Sequence, residues 1–378
     1  MKNPIGTLVL QAEGFKAFIP KKFPQKELFH LSPALIKKAS EATLKLEKLD
    51  GITKLLPDLD FFLFMYIRKD AASSSQIEGT RATMINAIEA ESKINDTLPE
   101  DVDDILHYIN ALNYGIKRLN NLPLGNRFIC EIHKELMQEA RMSHYSDPGN
   151  FRQSQNWISG TTPSNAKFVP PSVPAMKESL SDLEKFFHSK DLLLPIIKAG
   201  FIHAQFETIH PFLDGNGRTG RILITLFLWA EELLEKPVLF LSDYFKRHQQ
   251  VYYDRLKDYH EGNFELWLDF FLDGVIEVAD KSFTTIDAIT DIREIDMKKI
   301  QSLNKTASKT SILILQKLFS LPIITVPKII EWTGFTRQGA QKAIDRLISL
   351  NILELRDETK KYGRSYVYKR YLNIFENV

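Results

Sequence analysis

Residues 210–221 read HPFLDGNGRTGR and lie between two apolar stretches of helical spacing, Pro195–Thr208 and a run through ILITLFLWAEELL that ends at Pro237. This arrangement leaves the chain little freedom. Pro211 disfavours helical geometry in the residue before it, so the first helix must stop near Ile209. The second is predicted to restart at Arg218 or Thr219. The polar loop therefore sits between two apolar helices.

The flanking sequence reads as almost all helix with one hairpin. Residues 30–70 show helical periodicity, with Ser32 as N-cap and Pro33 in the first turn. Asp101–Leu119 opens with acids and closes with bases, as the helix dipole favours. Further helices are predicted at Phe128–Glu139, Met176–Phe187, Asp243–Tyr259 and Phe264–Asp287. The stretch Gly149–Pro174 is rich in Gly, Ser, Thr and Pro, with two short β-prone runs, Asn156–Ile158 and Lys167–Val169. It reads as a hairpin or flap between helices. Asp291–Thr306 reads as a polar linker helix. Beyond it, Ser311–Phe319, Val326–Trp332 and Arg337–Leu350 read as helices, followed by two β-prone runs around a charged turn. Three helices and a hairpin is the order of a winged helix.

The loop itself concentrates groups suited to phosphate chemistry. Gly215, Asn216 and Gly217 offer successive backbone amides just before a helix, an anion nest on a positive helix end. Arg218 and Arg221 stand three apart on one face of the first turn. Asp214 beside a phosphate is unfavourable unless a divalent cation bridges the two. His210 can take a proton near neutral pH. Together they suit phosphoryl or nucleotidyl transfer. GNGRTG also fits the dinucleotide pattern G-x-G-x-x-G, but that motif follows a β-strand and this one follows a helix and a His-Pro break. No G-x-x-x-x-G-K-[ST] is present. A glycine-rich turn with an incidental histidine is the structural alternative.

At every specified position His210–Arg221 resembles the Fic family signature H-x-F-x-[DE]-G-N-G-R-x-x-R. The resemblance implies a mainly α fold: a Fic-type helical bundle core with a β-hairpin flap, here joined to a C-terminal winged-helix (α+β) domain. It also implies a protein adenylyltransferase that moves AMP from ATP to a Ser, Thr or Tyr hydroxyl of a protein target, the chain itself included. His210 is then the base and Asp214 ligates Mg²⁺. Gly215, Asn216, Gly217, Arg218, Thr219, Gly220 and Arg221 cradle the phosphates, and Phe212 anchors the loop. Glycine at 217, where the related Doc branch has lysine, favours AMP transfer over phosphorylation.

Three neighbouring features extend the resemblance. Ser73–Gly79 (SSSQIEG) is similar to the family's inhibitory motif [S/T]-x-x-x-E-[G/N]. Ser74 and Glu78 share a helix face, and Glu78 would pair with Arg221, which cannot serve a carboxylate and a phosphate at once. A motif N-terminal to the core implies the second Fic class. Lys167, Phe168 and Val169 match the flap that holds a target segment as an added strand. Tyr253 and Leu256 match the helix bordering the adenine. His203, on an apolar face, reads as a core histidine rather than a metal ligand.

The expected organisation is an N-terminal helical region with the inhibitory helix over 1–105, the Fic core over 106–290, a linker over 291–304 and the winged helix over 305–378. Net charge is +1, but from Lys305 onward the chain carries 13 Lys/Arg against 6 Asp/Glu, leaving an acidic body. Duplex DNA therefore stands as a further candidate partner, through Arg337, Gln338, Gln341 and Lys342 on the recognition helix and Lys360, Lys361 and Arg364 on the wing. Docking of a target or a homodimer are the other uses of such a module. The single cysteine, Cys130, cannot pair within the chain, and MKNPIGTLVLQAEGF lacks a signal peptide's apolar core. No run of about 18 apolar residues exists, so no membrane contact is expected, and a cytoplasmic protein is. The alternatives carried forward are a nucleotide-sensing DNA-binding regulator, and a Fic enzyme that uses another donor or removes AMP.

Overall fold

The computed structural model describes residues 5–54, 59–94, 98–138, 147–190, 193–359 and 363–376. Its centre is α7 (Pro195–Ile209), paired with α8 (Asn216–Ala230). Nearly every residue of α7 is buried, so the helix is packed on all sides rather than amphipathic. Its polar side chains are accommodated individually. Lys198 donates to the Ser189 carbonyl at 2.8 Å, Tyr252 meets His203 Nε2 at 2.8 Å, Tyr259 donates to Gln205 at 3.1 Å, and Thr208 donates to the Ala204 carbonyl at 2.7 Å. His203 is thus a buried core histidine, as expected.

Around this pair stand α1 (Pro33–Thr53), α2 (Leu59–Ile77), α3 (Met84–Ser92), α4 (Val102–Arg118), α5 (Asn126–Met137) and α6 (Val173–Phe187), then α9 (Ser242–Arg247), α10 (Gln249–His260) and α11 (Phe264–Gln301). Ser32 accepts from the Leu35 amide and Pro33 begins α1, as the sequence predicts. Several boundaries differ from the prediction. The helix read as Asp243–Tyr259 breaks at His248 into α9 and α10. The segment read as a polar linker is the last third of α11, which runs unbroken for 38 residues. Its polarity is misleading because Asp296 is fully buried and bonds Tyr368 and Arg370. The second core helix starts at Asn216, earlier than predicted, and ends at Ala230.

The sequence reading also passed over an N-terminal hairpin, β1 (Gly6–Leu10) and β2 (Lys16–Pro20), paired antiparallel from Gly6↔Pro20 to Leu10↔Lys16. The flap is looser than the two β-prone runs suggest, closing through the single bridge Ile158↔Phe168.

After α11 come α12 (Lys305–Ser320), β3 (Ile323–Thr325), α13 (Val326–Thr333), α14 (Arg337–Ser349), β4 (Glu354–Leu355), β5 (Ser365–Val367) and α15 (Lys369–Glu376). The antiparallel sheet order β3-β5-β4, with α14 preceding β4, is that of a winged helix carrying one extra C-terminal helix. Gly334, at φ 70°, caps α13 in the left-handed region and turns the chain into α14. Lys360 and Lys361 lie outside the described residues. Among the described residues no helix is long and apolar enough to cross a membrane.

Candidate active site

α7 ends where Pro211 requires, and His210 takes a left-handed conformation (φ 48°, ψ 61°) rare for a side chain with a Cβ. The surroundings hold it there. Its amide donates to the Phe206 carbonyl at 2.9 Å. Its carbonyl accepts from Arg152 Nε at 3.0 Å and Asn156 Nδ2 at 3.3 Å. Arg152 is fully buried, its remaining donors spent on the Ser154 and Pro171 carbonyls, and burial lowers its pKa to about 10. The flap root therefore fixes the backbone of His210.

The loop is closed by Asn216, whose Oδ1 accepts from the Phe212 amide while its Nδ2 donates to the Phe212 carbonyl, both at 2.8 Å. His133 on α5 supports it from below, its ring 3.6 Å from that of Phe212 and nearly parallel. Its Nδ1 accepts from the Gly149 amide at 2.9 Å, so the proton is on Nε2, which donates to the Asp214 carbonyl at 3.0 Å. Burial lowers the His133 pKa to about 4 and keeps this tautomer neutral. Sequence reasoning missed His133, Arg152 and Asn156; their types are ordinary and only the fold brings them to the loop.

The loop's functional groups face one end of α8. The first helical bond there is donated by Thr219 to Gly215, so the amides of Asn216, Gly217 and Arg218 precede it. Asp214 is half-exposed; its Oδ1 accepts from the Gly215 amide at 2.6 Å. Arg218 is buried, yet Asp104 and Asp214 stand 3.7 and 3.9 Å from its guanidinium, and its Nε meets no acceptor among the described residues. A buried cation so loosely matched is suited to an arriving anion.

Arg221 is matched closely. Its Nε donates to Ser74 Oγ at 2.8 Å, and its terminal nitrogen donates to the Ser74 carbonyl at 3.0 Å and to Glu78 Oε1 at 2.6 Å. Burial raises the Glu78 pKa but Arg221 more than reverses that, leaving it below the usual range. The carboxylate lies directly over Gly217, where a Cβ would come within 2.2 Å of Glu78 Oε1. The turn after α2 is pinned by α4: Asp101 accepts from the Arg81 and Ala82 amides and Asp104 from Thr80.

His210 Nδ1 is buried, 4.0 Å from the Glu207 carboxylate, and burial lowers the ring's pKa to about 4. The imidazole is neutral at neutral pH. Thr219 is fully buried, and Gly220 faces α7, where a Cβ would meet Glu207 Oε1 at 2.6 Å. These two residues therefore face the interior, while the amides of 216–218 lie at the N-terminal end of α8 beside Glu78. Tyr253 is 45% exposed and accepts from Gln249, which also donates to the Ile77 carbonyl, so its ring stands beside the end of α2. Leu256 is buried in the core. In the flap, Lys167 is exposed. Phe168 is stacked on His260 at 4.4 Å, and Val169 is buried with its carbonyl accepting from Phe18 on β2 at 2.9 Å.

The site is thus a histidine-led loop at a helix N-terminus in a helical bundle, with arginines in the first turn and a carboxylate over them. Residues 123–228 match the model of the Fic/DOC family, and residues 36–117 match that of the Fic/DOC family N-terminal region. Residues 36–117 and 123–228 are thus Fic/DOC family sequence. It is 30% identical over 177 residues to a protein adenylyltransferase Fic of Aedes aegypti, covering 46% of this chain and 31% of that protein. It is 29% identical over 189 residues to the Nematostella vectensis protein adenylyltransferase Fic, covering 50% and 38%. The chain thus spans about a third of the length of these curated relatives. A crystal structure of a Fic family protein from Desulfovibrio desulfuricans superposes with a TM-score of 0.58 at 16% identity, covering 90% of this chain and 97% of that one. Fic-1 from C. elegans gives 0.52 at 17% identity, covering 68% and 74%. These two likenesses concern the fold.

Proposed function

We propose that the chain is a self-inhibited protein adenylyltransferase that moves AMP from ATP to a Ser, Thr or Tyr hydroxyl of a protein. The observation that carries this reading is the Glu78 carboxylate on Arg221 at 2.6 Å, over the first turn of α8, with Arg218 buried and loosely matched beside it. Arg221 holds a carboxylate where a terminal phosphate would otherwise sit, which is the geometry of inhibition by substitution.

In the released state His210 Nε2 takes the proton of the target hydroxyl. The hydroxyl oxygen attacks the α-phosphorus, the bond from that phosphorus to the oxygen bridging to the β-phosphate breaks, and pyrophosphate leaves. Amides 216–218 and Arg218 face the phosphates and offset their charge. A single half-exposed carboxylate fits Mg²⁺, which keeps several waters and binds one or two carboxylates plus substrate phosphates. Asp214 would hold it, and the ion would neutralise charge developing between the phosphates. Tyr253 borders the adenine side of the cleft, and the flap at Lys167 presents the target segment. Duplex DNA on α14 remains a separate candidate role, supported by exposed Arg337, Gln338 and Lys342.

Label transfer from ATP marked in the α-phosphate tests the reading. Glu78→Gly is expected to raise protein labelling, and adding His210→Ala is expected to lower it again by roughly 10²–10⁴-fold. Labelling that ignores His210, or none after Glu78 is removed, argues instead for a nucleotide-sensing regulator.

A further inference from the structure

The C-terminal module packs directly on the two helices that flank Glu78. α12 packs against α2, and Phe375 of α15 meets Tyr66 of α2 edge-on at 5.6 Å. β3 lies on α3, where Ser92 donates to the Ile323 carbonyl at 3.1 Å. The most specific contact comes from the base of the wing. Arg356 follows β4 and donates its amide to the Ser365 carbonyl of β5 at 3.1 Å, while its guanidinium pairs with Glu89 of α3. Glu89 is 3% exposed and Arg356 34%. A buried carboxylate that draws its cation from another module ties the two together, because separating them leaves the charge unmatched.

α3 is in turn tied to α2. Arg68 Nε donates to Glu91 at 3.0 Å, and Gln76 donates to the Ala82 carbonyl across the turn that carries Glu78. A continuous set of contacts therefore runs from the wing base through Glu89, Glu91 and Arg68 to the helix whose end places Ser74 and Glu78 on Arg221.

We propose that the Arg356–Glu89 pair is a second restraint on inhibition: the winged-helix module, clamped to α3, holds Glu78 on Arg221, and a partner that shifts the wing base releases it. This rests on the reading that Glu78 is inhibitory. It also assigns the C-terminal module a function that does not require it to touch the target.

The test uses the full chain with Arg356→Ala, a change at a half-exposed position, alone and combined with Glu78→Gly. Two readouts are taken: ATP affinity by calorimetry, and self-labelling from ATP marked in the α-phosphate. Arg356→Ala is expected to raise both by roughly fivefold or more, and to add nothing once Glu78 is glycine. Arg356→Lys, which keeps the charge, is expected to stay near the parent. No rise with Arg356→Ala, or an equal rise in both backgrounds, overturns the proposal. If Glu78→Gly binds ATP more tightly but labels nothing, the transferase reading fails while the affinity comparison still decides the restraint.

Discussion

Asn216 shows how much of the site depends on one side chain that need not touch a substrate. Both of its bonds to Phe212 are spent on shaping the loop, so its amide serves as scaffold for the nest that its own backbone helps to form. Asn216→Ala leaves the buried Phe212 amide without an acceptor. The expected cost is about 1–3 kcal/mol in chemical denaturation. In the Glu78→Gly background, transfer is expected to fall by roughly 10²-fold, because the reacting groups drift from their alignment. A stable variant with full activity would assign Asn216 no positioning role. The loop's residues were legible in the sequence because chemistry demands all of them within twelve positions. Their division of labour was not. Gly220 and Thr219 belong to the same run of letters as Gly217, yet the 3.6-residue turn sends them toward α7 and the interior, and only the fold shows that Gly217 makes room for Glu78.

At the scale of elements, the flap is supported by a part of the chain that sequence patterning did not flag. β1 and β2 are five residues each, and β1 exposes Leu8, Val9 and Leu10, so no clean alternation announces a strand. Yet Phe18 packs on Phe168 and His260, and Phe15 and Ala17 cover Val169. Phe18→Ala is expected to cost about 3 kcal/mol locally, read as faster amide exchange across residues 156–169. Unchanged exchange would show that the flap stands without the hairpin. The helices α1, α4, α7 and α8 were readable because each carries its own cap, charge gradient or apolar run. α11 was misjudged past Asp287 because a buried Asp296 bonded to Tyr368 and Arg370 looks, in sequence, like any solvated charge. Ion pairs across modules, such as Arg356 with Glu89, leave no local trace at all.

For the whole molecule, four imidazoles, His133 and His203 buried and His210 and His260 partly so, set a shared response to acid. Burial lowers His133 and His210 to about 4 and His203 and His260 to about 3. Each folded value lies below that of the unfolded chain, about 6.5. As pH falls through that value the unfolded state takes up protons first, so stability is lost from about pH 6.5 down to about 4 for His133 and His210 and about 3 for His203 and His260. Glu207, raised by burial to about 8, and Asp70, also raised, act in the opposite sense, and four rings outweigh two carboxyls. The thermal midpoint is expected to drop steadily from pH 7 to pH 4; a flat profile would contradict neutral rings. The same low value of His210 leaves it ready as a base throughout the neutral range. Under the proposed function, whether it acts as one depends on the state of Arg221, held here by Ser74 and Glu78. The most direct measurement is therefore ATP binding and α-phosphate transfer compared between the parent chain and Glu78→Gly, with γ-labelled ATP as the control. The expected result is tighter ATP binding and protein labelled from the α-phosphate but not the γ-phosphate in the variant. Equal affinity and equal, absent labelling in both chains would contradict the account.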